Sequence, residues 1–430
     1  MRSLVVDTTP LRISPDFRRL WWGLSIANLG TQLTVVAVGL QVYGITGSTL
    51  SVGVLGMCAF VPLVVFGLYG GAVVDHYDRR TVALVASVVS WVAILVLAVQ
   101  GWAGNEHVGL LYALTAVQSG ANAVNSPARS AIIPRLLAPK LMPAANALQA
   151  IGFQTALTVG PLAGAGLASI DYGLAYTVDA VLFTFALGAV LRLPPVLPEP
   201  SDSRRARVGL ASVVDGLRYL ATQPDVRMTF AVDLCAMILA MPRVVFPAVG
   251  IWYLGGGETT TGILTAALAV GAVSSGLLSG GLARVRWQGR TITWAITGWA
   301  ASVVAFGLVL VAVGRDRPEH ALWGAIAVAC LTLVAAGASD EVSAIFRQTI
   351  LQTATPDDMR GRLQGVFIVV VAGGPRLGDM FIGSVSGAVG EGWAVVIGGV
   401  LCAAALWTLV RTQRSFWRYD AHRLTPGART

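Results

Sequence analysis

Seven charged side chains stand inside long apolar runs of this 430-residue chain: Asp179, Asp233, Arg243, Asp340, Glu341, Arg376 and Asp379. A charge surrounded by hydrocarbon is costly, so each is by default a candidate for function. A carboxylate exposed alternately to water and to an apolar interior takes up and releases a proton as its surroundings change. Asp179, Asp233, Asp340, Glu341 and Asp379, with Arg376, are therefore candidates for coupling proton movement to another event. Arg376 and Asp379 stand three apart and share a helix face; they form either a proton-responsive couple or a plain buried ion pair. For Asp233, Asp340 and Glu341, near the ends of their runs, a gating or packing role competes with proton carriage. His76, His107, His320 and His422 fall outside the apolar runs and cannot serve. A second set, Asn28, Gln32, Asn122, Asn125, Met237 and Arg243, offers contacts for lining a substrate cavity, the thioether adapting to irregular shapes.

The elements that position these residues must sit in lipid. Hydrophobic residues make up 55% of the chain and charged residues 12%, with a mean hydropathy of +0.71. A water-facing surface needs roughly a quarter of its residues charged, so a soluble globular protein is excluded. Disorder and fibrous folds fall away too, because 49 Gly and 19 Pro are scattered through apolar runs rather than gathered in polar or periodic tracts. A net charge of +8 reads here as basic loops on the cytoplasmic side, not as a nucleic-acid surface. Cys58, Cys235, Cys330 and Cys402 each sit in an apolar run, a spacing that suggests neither disulfides nor a metal site. Inside the spans no Ser/His, His/Glu or metal-spaced set converges, and no nucleotide-binding loop is present. Neither catalytic residues nor a cofactor is therefore expected.

About 20 apolar residues cross the hydrocarbon as a helix, and twelve stretches qualify: Leu20–Tyr43, Leu50–Val74, Val82–Trp102, Val108–Val124, Leu141–Ile170, Tyr172–Leu193, Met228–Leu254, Thr260–Ala283, Thr291–Val313, Ala321–Ser343, Leu363–Val389 and Trp393–Val410. With both termini cytoplasmic, the opposite face receives only Arg315 and Arg317 among the 30 basic residues, and Arg243 and Arg376 lie within spans. That imbalance sets the orientation. Arg129 and Arg347 are read as residues of the loops after spans four and ten. A polar stretch, residues 194–227, links a six-helix bundle at 20–193 to a second at 228–410, with cytoplasmic tails at 1–19 and 411–430. Its second part, near Asp215 and Leu217, has the periodicity of an amphipathic surface helix. Ser14-Pro15-Asp16 before span one resembles Gln223-Pro224-Asp225 before span seven, and Arg129 after span four resembles Arg347 after span ten. The likeness argues for two like-oriented bundles with a shared cavity, as in transporters built from parallel repeats.

The loop after span two reads Gly71-Ala-Val-Val-Asp75-His-Tyr-Asp-Arg79-Arg80. It resembles the Gly-x-x-x-Asp-x-x-x-Arg-Arg signature of the major facilitator superfamily, with Asp78 where that family usually has Gly. The resemblance implies twelve helices in two bundles and a latch in which Gly71 permits close approach, Asp75 faces a positive helix end and Arg79 pairs with a carboxylate, beside Arg80. Gly160-Pro161-Leu-Ala-Gly164-Ala-Gly166 in span five resembles the Gly-Pro segment of exporters in that superfamily, where small residues four apart let helices close. From about residue 14 to 412 the chain is similar to the enterobactin-exporter group and to actinobacterial drug (macrolide) efflux proteins. The resemblance implies a monomeric exporter of small amphiphiles in the cell membrane, with protons and a small-molecule substrate as partners. Span four has no embedded arginine in this reading, which weighs against the coupling of many drug/proton antiporters. Import of an organic anion onto Arg243 and Arg376, and an intramembrane enzyme or lipid-handling protein, are the competing readings.

Overall fold

The computed structural model describes residues 8–138, 141–194, 210–277, 285–353 and 357–420. In these residues every regular element is helical. The chain forms α1 (Thr9–Ile13), α2 (Pro15–Thr46), α3 (Thr49–His76), α4 (Arg79–Trp102), α5 (Val108–Leu136), α6 (Met142–Ala168), α7 (Tyr172–Leu191), α8 (Leu210–Thr222) and α9 (Pro224–Leu234). An irregular stretch holding α10 (Phe246–Ala248) follows, then α11 (Gly257–Leu277), α12 (Gln288–Val313), α13 (Trp323–Thr353), α14 (Asp357–Val389), α15 (Glu391–Thr412) and α16 (Arg414–Trp417). Among the described residues ten helical stretches are long and apolar enough to cross a membrane. α5, at 29 residues, has the length but a more polar composition.

Local chemistry sets the helix starts. Pro15 and Pro224 open α2 and α9, the position where a missing N–H is no loss, so both copies of the repeated Pro-Asp pair begin a helix. Asp78 caps α4, accepting from the Thr81 N–H at 3.0 Å. Asp171 caps α7 through the N–H groups of Gly173 and Leu174, as a short acceptor side chain does at this position. Asp78 in place of the family's Gly thus supplies a cap, at φ −55, where no left-handed residue is needed. Within the spans, the Thr31, Ser87, Thr177 and Thr184 hydroxyls donate to carbonyls four residues back, which satisfies them where lipid offers no partner.

The chain divides into two compact units, one of Met1–Ile45 with Cys58–Gly209 and one of Thr46–Met57 with Leu210–Thr430. In the first, α4 packs on α5 and α7, and α6 on α7; Phe17, Leu20, Ile132, Ile133 and Leu148 form one of its cores. In the second, α11 and α12 pack on α13, α12 on α15, and α14 on α15, around Trp299 and the edge-on pair Phe246–Phe306, 5.9 Å apart. Outward faces stay apolar: Val99, Phe185, Leu331 and Trp323 are all exposed, a surface that hydrocarbon solvates and water does not.

Three spans differ from expectation. The seventh, expected as one helix over Met228–Leu254, is interrupted: α9 passes into a π turn (Cys235–Leu239), a break, a 3-10 turn (Arg243–Val245), α10 and a second π turn (Val249–Tyr253). Pro242 and Pro247 remove two backbone donors. Irregular backbone at membrane depth persists only where protein shields it or water fills the cavity it lines, and Val244, Val245, Phe246, Ala248 and Val249 are all buried. Gly378 and Gly398 bring α14 and α15 against the carbonyls of Met237 and Leu239. The fourth and tenth spans run past their expected ends, to Leu136 and Thr353. Arg129 and Arg347 are therefore helical residues within α5 and α13, not loop residues.

Candidate functional site

A cavity of about 370 Å³ lies within the first unit, between α2, α5 and α6. Each helix offers residues three or four apart, which share a face: Trp21, Leu24, Ser25 and Asn28 from α2, Asn122, Asn125, Ser126 and Arg129 from α5, Gln149, Ala150 and Phe153 from α6. The Trp21 indole N–H reaches across to the Leu148 carbonyl at 2.9 Å, tying α2 to α6, and a Cβ at Gly152 would collide with Ser25. Asn122 and Ser126 are exposed at the rim. Asn125 and Arg129 form the floor, with 3% and 6% of their surface accessible.

Ser87 on α4 holds that floor. Its Oγ accepts from Asn125 Nδ2 at 3.1 Å and Arg129 Nη2 at 3.0 Å and donates to the Ala83 carbonyl at 2.6 Å. Arg129 Nε and Asn125 Oδ1 are buried with no partner. Asn28, Asn122 and Asn125 are thus brought together, and Arg129 joins them from the part of α5 that extends past the apolar run. The pattern Asn122-x-x-Asn125-Ser126-x-x-Arg129 carried the signal, since it continues one helix face. Gln32 lies one turn beyond Asn28, packed on Gly160 of α6.

The second unit holds a smaller cavity, about 160 Å³, lined by Thr229, Asp233, Met237, Asp340, Arg347 and Gln348 among others. Here the guanidinium is fully compensated. Arg347 pairs with Asp233 through Nη1, and with Asp340 through Nη2 at 3.3 Å. Asp233 and Asp340, two of the coupling candidates, therefore share one cation that sequence reading did not assign to them. Glu341 points away from this set toward Gly276 of α11.

Arg243, Arg376 and Asp379 form a third group, each within electrostatic reach of the others. Among the described residues no ion pair joins Arg376 to Asp379, and Asp379 Oδ1 is buried without a partner. Gly53 and Gly56 at the start of α3 pack directly on Asp379, and Gly56 also on Arg376. Asp179 is fully buried in the first unit, accepting from Thr34 Oγ1 at 2.5 Å and pressed against Gly30. Gly160 and Gly164 face α2, where a Cβ at Gly164 would meet the Leu33 carbonyl, while Gly166 faces open space; Pro161 is buried. Of the latch, Gly71 and Asp75 belong to α3, and the Asp75 side chain lies outside the described residues. Arg79 lies at the start of α4, and Arg80 Nη2 donates to the Leu191 carbonyl at 2.6 Å.

Residues 6–426 match the family described as transmembrane secretion effector. The enterobactin exporters EntS of Shigella boydii and Citrobacter koseri are each 27% identical to the chain, over 96% and 95% of it and 97% and 96% of their own lengths. Among solved structures, the nucleoside transporter NupG superposes with a TM-score of 0.70 at 13% identity, covering 94% of this chain and 99% of that one. A POT family transporter in complex with 5-aminolevulinic acid gives 0.72 at 10% identity, covering 94% and 97%. At these identities the structural likeness carries the fold alone.

Proposed function

The chain belongs to the transmembrane secretion effector family of multi-pass major facilitator transporters, and from that premise we propose that it exports small amphiphilic molecules, siderophore-like or drug-like, by proton-coupled antiport. The observation that carries the direction and substrate class is the nearly end-to-end similarity to proteins named enterobactin exporters. An alternating-access cycle suits the ionisable groups held inside the spans, and Asp179, Asp233, Asp340, Glu341 and Asp379 with Arg376 are the coupling candidates within it. Twelve spanning helices in two bundles (20–193 and 228–410), cytoplasmic termini, an inner or plasma membrane location and a monomeric state complete the reading. In it Gly71, Asp75, Arg79 and Arg80 latch one face of the protein.

Transport into inside-out vesicles tests this. Siderophores and dyes are expected to accumulate when a proton gradient is imposed, and Asp75→Asn to reduce that accumulation at least tenfold. Uptake indifferent to the gradient removes the coupling; no uptake above empty vesicles removes the exporter. A second reading, import of an organic anion, draws on the excess of guanidinium in the Arg243, Arg376 and Asp379 group. It predicts accumulation in right-side-out vesicles instead.

A further inference from the structure

Two arginines in equivalent sequence contexts have opposite electrostatic surroundings. Arg347 on α13 lies between two carboxylates. Arg129 on α5 has one neutral partner, the Ser87 hydroxyl; its Nε is buried and unpartnered, and among the described residues no carboxylate pairs with it. Burying a guanidinium without a counter-charge is strongly unfavourable, so the site is energetically incomplete unless an anion or water reaches it. The cavity leads to this floor from an exposed rim. Apart from Arg129, every polar residue lining it among the described residues is a neutral amide, hydroxyl or indole: Asn28, Asn122, Asn125, Ser25, Ser126, Gln149 and Trp21. Among the described residues no lining carboxylate repels an anion, and several lining groups can donate to one.

We propose that the cavity of the first unit is an anion subsite, in which Arg129 receives a carboxylate or other planar oxyanion of the substrate. The planar fork of a guanidinium suits such a group. Asn122, Asn125 and Asn28 supply amide donors along the way in, and Trp21 with Phe153 supplies an aromatic wall for the body of an aryl acid. At about 370 Å³ the cavity takes one small aromatic acid or one arm of a larger amphiphile. The subsite deepens the exporter reading and rests on it only for the claim that the anion belongs to a transported molecule; anion binding needs no transport.

The test is equilibrium dialysis of the purified full chain in lipid nanodiscs with 2-hydroxybenzoate and, in parallel, its neutral amide. Arg129→Gln is expected to weaken binding of the acid about tenfold or more, the scale of a lost hydrogen bond to a charged group, and to leave the amide unchanged. Ser126→Asp, at the exposed rim three residues from Arg129 on the same helix face, is expected to do the same by occupying the guanidinium, without disturbing the core. Unaltered acid binding in both variants overturns the assignment, as does equal loss of acid and amide in Ser126→Asp. Charge-selective loss together with absent vesicle transport leaves the subsite standing and removes the exporter; transport with acid binding indifferent to Arg129 does the reverse.

Discussion

Arg347 shows how a buried charge is held. Its two nitrogens reach Asp233 and Asp340, and both Arg347 and Asp233 are largely withdrawn from water. Removing one partner strands the other charge, which costs about 3–5 kcal/mol, whereas removing both often costs little. Arg347→Met and Asp233→Leu are each expected to lower the unfolding midpoint in detergent sharply, and the double substitution to recover most of the loss. Asp340, a third exposed, can stay hydrated in that variant. Additive losses in the double variant would falsify the pairing. Among the described residues no cation pairs with Asp179: its hydrogen bond from Thr34 and its contact with Gly30 place a carboxylate where even one added methyl group would collide with it.

Helix packing turns on single glycines two residues apart. α6 rides on the backbone of α2 at Gly164, where a Cβ would fall 2.5 Å from the Leu33 carbonyl, while one at Gly166 would meet nothing within 4 Å. Gly164→Ala is therefore expected to cost about 1–3 kcal/mol through overpacking. Gly166→Ala should be neutral, since alanine is the better helix former. Equal thermal midpoints for the two variants would remove the close approach. The Gly-Pro segment was legible in the sequence as a packing motif, but not which of its glycines touches a neighbour, because that depends on helix rotation. Span positions were legible from apolar length, and two helix starts from their Pro-Asp pairs. Arg129 and Arg347 were misplaced because apolar character stops before the helix does: α5 continues through Pro127 and Pro134. The Asp233 pairing joins residues 114 apart, a relation no local spacing reveals. The broken seventh span was foreshadowed by Pro242 and Pro247, whose effect a hydropathy reading ignores.

For the molecule as a whole, the basic residues decide how the chain is inserted. Loops rich in Arg resist translocation and stay cytoplasmic, and the segment between the units carries Arg204, Arg205 and Arg207. The loop between α12 and α13 carries Arg315 and Arg317 with Asp316 and Glu319, a balance that offers less resistance to crossing; Arg315 and Arg317 also lie over the Trp252 ring, 5.4 and 5.3 Å from its centroid, each a cation–π contact. These opposite loops can be read directly in cells. In a background with the four cysteines replaced by alanine, Glu319→Cys is expected to react with a membrane-impermeant maleimide added to intact spheroplasts. Ser203→Cys should react only after the membrane is permeabilised. Glu319 is exposed, so a failure to label there cannot be assigned to burial. Labelling of Ser203→Cys from outside would invert the insertion.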